Sequence, residues 1–251
     1  MRQIWKLFTL TLVGLACSYP ALADAPRVLF DQGHGQLFFI DREEPLDLSN
    51  LASVFVQAGF LADSTTLPLT ASLLGQYDAL ILSGAFQSPD ALEIEAIQEF
   101  IHRGGKLAVM LHVGPLVVPL LNKLNVSVSS AVLHDTQLAM NNKSTDFPVT
   151  SIAGHLLFDQ VKGFNLYGAW GLNPNDASVR IMAITQPSAW LDMNRNQVKG
   201  DNPQGRFPVI VRGPIGSGEF LVFGDDAIFQ NRFLVGNNLQ LAKNLAQWML
   251  P

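Results

Sequence analysis

Two apolar runs constrain this chain more than anything else in it. "YDALILSG" ends at Gly84 and "KLAVMLHVG" begins at Lys106. Each is continuous rather than alternating, the pattern of a strand covered on both faces. Between them, "SPDALEIEAIQEFIHRGG" reads as a helix. Ser88 is placed to cap it and Pro89 to sit in its first turn. Ile94, Ile97 and Ile101 make one stripe, and Gly104-Gly105 ends it. Strand, helix, strand in so short a length implies a parallel pair with a crossover.

The rhythm extends both ways. "RVLFD" reads as a strand and "LSNLASVFVQAGF" as a helix with Leu51, Val54, Phe55 and Ala58 on one face. A short helix through "PLVVPLLNKL" follows the "KLAVML" strand. The C-terminal half reads differently: "FNLYGAWGL", "VRIMAIT", "FPVIVRGP" and "GEFLVFGDD" are strands with few helices between them. The last two make a hairpin turning between Pro214 and Gly218, and "NNLQLAKNLAQWML" closes the chain as an amphipathic helix. The expected fold is α/β: a mostly parallel, flavodoxin-like or amidotransferase-like sheet flanked by helices, with extra strands and a hairpin in the second half. No linker or repeat interrupts it, so residues 24–251 are expected to form one domain.

The first 23 residues are expected to lie outside that domain. "MRQIWKLFTLTLVGLACSYPALA" carries basic Arg2 and Lys6, an apolar run from Leu7 to Ala16, and the small-x-small end Ala21-Leu22-Ala23. This is the pattern of a secretory signal cut before Asp24. The rival expectation is lipidation at Cys17, for which Gly14 is a poor fit. Cys17 is the only cysteine, so the mature chain offers neither a disulfide nor a thiol nucleophile. The expected address is periplasmic or secreted, with no transmembrane span in the mature chain. Net charge is -5 with no Lys/Arg cluster, which argues against nucleic acid as a partner. A small-molecule ligand or an envelope protein is expected instead.

Ligands of open α/β sheets bind beyond the carboxyl ends of the strands. Asp31 and His34 follow the first strand, in "FDQGHGQ"; Ser83 follows "ALIL"; His112 ends "KLAVML"; Asp225 and Asp226 end "EFLVFG". One parallel sheet would gather all six along one edge. Each also has a plainer reading: an aspartate after a strand caps a turn, and a histidine at the end of an apolar strand suits a satisfied core position. Two histidines and two carboxylates, namely Asp31, His34, His112 and Asp225, would suit a divalent metal such as zinc, manganese or iron. His102 reads as a helix C-terminal charge, and Trp170 and Trp190 as core or as stacking platforms. The "FDQGHGQ" loop is expected to be functional, with Asp31 orienting His34 and with substitutions there sparing stability. The rival is that the pair fixes the long loop after it.

Two resemblances accompany this reading. "DQGHG" resembles the opening of zinc N-acetylmuramoyl-L-alanine amidases. That resemblance implies His34 and Glu44 as zinc ligands, but the family's later Ser-x-His-x-Asn segment is replaced here by "LSGAF". The order of "YDALILSG", "EAIQEFIHRGGKLAVML" and "GSGEFLVFGDDAIFQNRFLVGNNLQLAKNLAQWML" resembles class I glutamine-amidotransferase-like domains. More narrowly it resembles an exported family related to gliding-motility and ABC-transporter auxiliary proteins. That superfamily places its cysteine in Gly-x-Cys-x-Gly at a strand-to-helix elbow. The matching stretch is "MLHVG", where His112 stands at the nucleophile position. Imidazole is a poor replacement for the thiolate, so amidotransferase activity is not expected. The expectation is an exported domain of this fold that binds a small ligand or partner protein at the C-terminal edge of the sheet. The alternative is a metal-dependent hydrolase acting on cell-wall or glycan material.

Overall fold

The computed structural model describes residues 25–251. The expected signal segment and Cys17 lie outside the described residues. The strands are β1 (Arg27–Asp31), β2 (Leu61–Thr65), β3 (Ala79–Ser83), β4 (Lys106–Met110), β5 (Val126–His134), β6 (Asp146–Val149), β7 (Ser151–Ile152), β8 (Phe164–Tyr167), β9 (Trp170–Pro174), β10 (Arg180–Ile184), β11 (Trp190–Leu191), β12 (Pro208–Ile215) and β13 (Gly218–Phe223). The helices are α1 (Ser49–Gln57), α2 (Ala71–Leu74), α3 (Ala91–His102), α4 (Val118–Lys123) and α5 (Gly236–Trp248).

The main sheet has eight strands in the order β2-β1-β3-β4-β13-β12-β10-β7. The five from β2 to β13 are mutually parallel, and β12, β10 and β7 continue antiparallel. This is the mixed α/β sheet the apolar runs imply. The hairpin between β12 and β13 turns at Gly216 and Ser217, and it lays β13 parallel to β4. Every residue of β3 is buried, and in β4 only Lys106 is not, because one core layer packs on each face of the sheet. One layer takes Phe55, Phe223, Phe229 and Leu241, and the other Leu80, Ile97, Phe100 and Leu120.

Three local expectations change. "FNLYGAWGL" is two strands: Gly168, at φ +114, breaks it, so that β8 pairs with β6 and β9 pairs with β5. The α3 cap is Asp90, not Ser88. Asp90 accepts from the Glu93 backbone N–H, and Glu93 accepts in return from the Asp90 N–H, a complete capping box. Asp90→Ala is expected to cost about 1 kcal/mol. In a domain of this size that is about 2–4 °C of melting temperature by thermal unfolding. Finally, β5 has no counterpart among the sequence expectations, because "VSVSSAVLH" mixes serines into its apolar positions.

No helix among the described residues is long and apolar enough to cross a membrane.

Candidate functional site

The C-terminal edge of the parallel strands brings Ser83, His112, Asp225 and Asp226 to one level, and this follows from register. Ser83 pairs with Met110, and Phe223 pairs with Met110 from the other side. The ends of β3, β4 and β13 are therefore level, and the residues that follow them meet. His112 Nδ1 lies 3.0 Å from Asp226 Oδ1. The Asp226 backbone N–H donates to Leu111 O, which fixes the aspartate beside β4. Phe38 meets the His112 ring edge-on at 5.0 Å between centroids, and Phe86 lies against it at 5.3 Å.

Phe38 arrives there because the long connection after β1 folds back over the edge. Asp47 accepts from the Phe39 N–H and from Arg42. Asn231 and Arg232, which follow β13, donate to Asp47, Glu44 and Pro45 carbonyls. The connection is longer than a plain βα turn because it forms a cover.

The electrostatics of the two aspartates differ. The hydrogen bond that His112 Nδ1 donates to Asp226 raises the His112 pKa above the ordinary histidine range; burial opposes this and the charges of Asp226 and Asp225 add to it. The imidazole side chain is 37% exposed. Asp225 is fully enclosed: its oxygens accept the backbone N–H groups of Tyr167 and Ala227. Burial pushes its carboxyl up to about 7, against those two donors, and the Asp226 charge adds to the rise. Asp225 therefore ties β8 to the end of β13, while Asp226 faces His112. Asp226 Oδ2 and Ser83 Oγ are buried with no hydrogen-bond partner. Gly84, at φ +62, brings its backbone against Asp226; a Cβ there would stand 2.9 Å from Asp226 Oδ2 and 3.0 Å from a Phe38 ring carbon.

Asp31 and His34 form a separate cluster. His34 Nδ1 lies 2.8 Å from Asp31 Oδ2, and Nε2 lies 3.1 Å from Glu93 Oε2. Asp31 also accepts from the Gly33 N–H and from Gln36 Nε2. The His34 carbonyl accepts from the Phe86 and Gln87 N–H groups. Gly35 takes φ +70, whereas Gly33 keeps an ordinary φ and is packed against the Thr66 carbonyl. Glu93, which no sequence pattern singled out, joins α3 to the β1 loop. The only signal for it was its position three residues after Asp90, and that announces a cap and not a partner for His34.

This geometry bears on the residues named for a metal. Both ring nitrogens of His34 face carboxylates, so neither offers a lone pair to an ion. Among the described residues Asp31, His34, His112 and Asp225 do not form a group able to hold a metal. Glu44 is exposed, and its backbone carbonyl accepts from Asn231. His102 ends α3, and His155 Nδ1 accepts the Leu157 N–H.

No family model matches the chain, and no curated protein matches it. Solved structures do. A putative ThuA-like protein from Bacteroides uniformis superposes with a TM-score of 0.55 at 15% identity, over 94% of this chain and 95% of that one. The chain has the ThuA-like, amidotransferase-like fold. The N-terminal domain of mmIFT52 is similar over 88% of this chain and 96% of its own, with a TM-score of 0.72 and 15% identity. A cytoplasmic protein from Salmonella typhimurium LT2 gives 0.56 and 14%, over 89% and 98%. At these identities the likeness concerns the fold alone. It corrects the narrower resemblances drawn from the motifs. ThuA-like structures stand where a gliding-motility auxiliary family or a zinc amidase had been expected, and only the broad amidotransferase-like fold remains.

Proposed function

We propose that this protein is an exported binding domain of the amidotransferase-like fold. Its site takes a small, hydroxyl-bearing ligand at the C-terminal edge of the sheet, around His112, Asp226 and Ser83. One observation carries the reading: Asp226 Oδ2 and Ser83 Oγ are both buried without partners at the level where β3, β4 and β13 end. Buried polar atoms are rarely left unpaired, because each costs roughly 1–3 kcal/mol. A ligand hydroxyl can donate to the Asp226 oxygen and accept from the serine. His112 supplies a donor held in place by Asp226, and the Phe38 and Phe86 rings supply apolar walls. By the motif resemblance His112 stands at the position of the amidotransferase cysteine, and residues 25–251 contain no cysteine, so this edge lacks the thiolate that attacks glutamine.

The test is ligand-observed NMR with a panel of monosaccharides and disaccharides. Binding to the wild-type protein is expected, with a loss of at least about tenfold in Asp226→Ala or His112→Ala, the worth of one hydrogen bond to a charged group. Binding that persists in both folded variants, or no binding to the wild type, defeats the proposal. Export is tested by N-terminal sequencing of the native protein, with Asp24 expected first.

A further inference from the structure

A second cluster of reactive side chains lies apart from the sheet edge. β11 pairs with β5, setting Trp190 opposite His134 and Leu191 opposite Leu133. The Asp192 N–H then donates to Val132 O. The loop after β5 is closed at its ends by the Asp135 N–H donating to Ser144 O at 2.7 Å. These pairings bring three residues together. Ser144 Oγ lies 2.8 Å from His134 Nδ1, and Asp192 Oδ2 lies 3.6 Å from His134 Nε2. The imidazole is stacked on Trp190 at 4.6 Å, which fixes its plane. Asp192 is itself fixed, its oxygens accepting the Asn196 and Gln197 N–H groups.

His134, Asp192 and Thr145 line a cavity of about 290 Å³ together with Trp170, Arg195 and Gln197. Arg195 and Gln197 hold left-handed backbone, at φ 54 and φ 59. Such strain is costly for residues with side chains and persists where surroundings impose it. Here Asp192 accepts the Asn196 and Gln197 N–H groups in that stretch of backbone, and Arg195 is among the residues that line the cavity. The Arg195 N–H donates to Asp192 O, and its guanidinium has no ion-pair or hydrogen-bond partner among the described residues.

We propose that Ser144, His134 and Asp192 form a serine acyl-hydrolase centre for short-chain carboxylic esters, with Arg195 favouring an ester that carries an anionic end. A nucleophile, a base and an orienting acid are recognised by geometry and roles, not by order in the chain. Burial lowers the His134 pKa, with the Asp192 charge opposing. The ring is therefore neutral near pH 7, with Nδ1 able to accept a proton. Ser144 Oγ attacks the ester carbonyl as its proton passes to Nδ1. The ester C–O bond breaks, and the alcohol leaves with that proton. Water then attacks the acyl carbon and gives a proton to Nδ1. The acyl–Oγ bond breaks, the proton returns to Oγ, and the carboxylic acid is released.

The experiment is labelling of the full chain with a fluorophosphonate, in which the Oγ–P bond forms as fluoride leaves, read by peptide mass mapping. One adduct is expected, on Ser144, absent in Ser144→Ala. Labelling should be at least about 100-fold faster on native protein than on urea-unfolded protein, the scale of general-base assistance. His134→Gln should remove that advantage; if that variant does not fold, the native-to-unfolded ratio decides alone. With p-nitrophenyl acetate, Asp192→Asn should lower kcat with KM unchanged, as expected of a residue that positions the base. No adduct, an adduct elsewhere, equal native and unfolded rates, or a folded His134→Gln that labels normally each overturns the proposal.

Discussion

His34→Ala should lower the melting temperature by roughly 6–12 °C, the equivalent of about 3 kcal/mol in a domain of this size. His34 is 7% exposed and lies between Asp31 and Glu93. Removing it leaves two largely buried carboxylates facing each other across a hole. Breaking a buried ion pair is costly because the surviving charge stays desolvated. The backbone donors that Asp31 and Glu93 keep, from Gly33, Leu69 and Asp90, limit the loss. The pH dependence gives an independent check. Burial alone would lower the His34 pKa, but the two carboxylates outweigh it and raise it to about 9. A histidine whose folded pKa exceeds its unfolded value stabilises fully below the unfolded value, near 6.5, and loses that contribution as pH rises through about 9. Wild-type melting temperature should therefore fall between those limits, and His34→Gln should flatten the fall. Unchanged stability in both experiments would return "FDQGHGQ" to the role of a functional loop. The geometry favours the fixing role, since the cluster joins β1, the loop after β3 and the start of α3.

Gly224→Ala should have the larger effect, with little soluble protein and a loss of at least about 3 kcal/mol in denaturant unfolding of what accumulates. A Cβ at Gly224 would stand 2.1 Å from the Trp170 carbonyl oxygen. Neither backbone can retreat cheaply. The Gly224 N–H donates to Val209 O and its carbonyl accepts the Trp170 N–H, at 2.8 and 2.7 Å. Gly224 is thus where β9 crosses the end of β13, and it immediately precedes Asp225 and Asp226. Any shift there moves Asp226 away from His112, so the surviving protein should also lose ligand binding at the sheet edge. Gly205→Ala is the control: nothing lies within 4 Å of a Cβ there, and it should stay within about 1 kcal/mol of wild type. Normal yield and stability for Gly224→Ala would mean that the two strands approach less closely than described.

The main sheet was legible because burial on both faces leaves a continuous apolar run, and β1, β3, β4 and β13 all carry one. Alternation with helices implied that β1, β3 and β4 run parallel, so that Ser83 and His112 share an edge; the direction of β13, and with it the side on which Asp225 and Asp226 lie, came from its pairing with β4. The Asp31–His34 pair was legible too, being three residues apart. What the pair does was not legible, because its third member, Glu93, lies 59 residues further along the chain. β5 was missed because its serines mask the apolar positions, and with it went the neighbourhood of His134, Ser144 and Asp192.

The sequence by itself determined the class of fold, the apolar strands β1, β3, β4 and β13, and the strand ends at which polar groups collect. These depend on periodicity and on which residues can leave water, and both are properties of short segments. Tertiary structure alone decided which histidine is enclosed by carboxylates and which is left half exposed beside an orphaned oxygen. It also decided that two adjacent aspartates do different work, Asp225 holding backbone and Asp226 facing His112. Hydrogen-bond partners and desolvation arise from segments remote in the chain, and no local pattern encodes them.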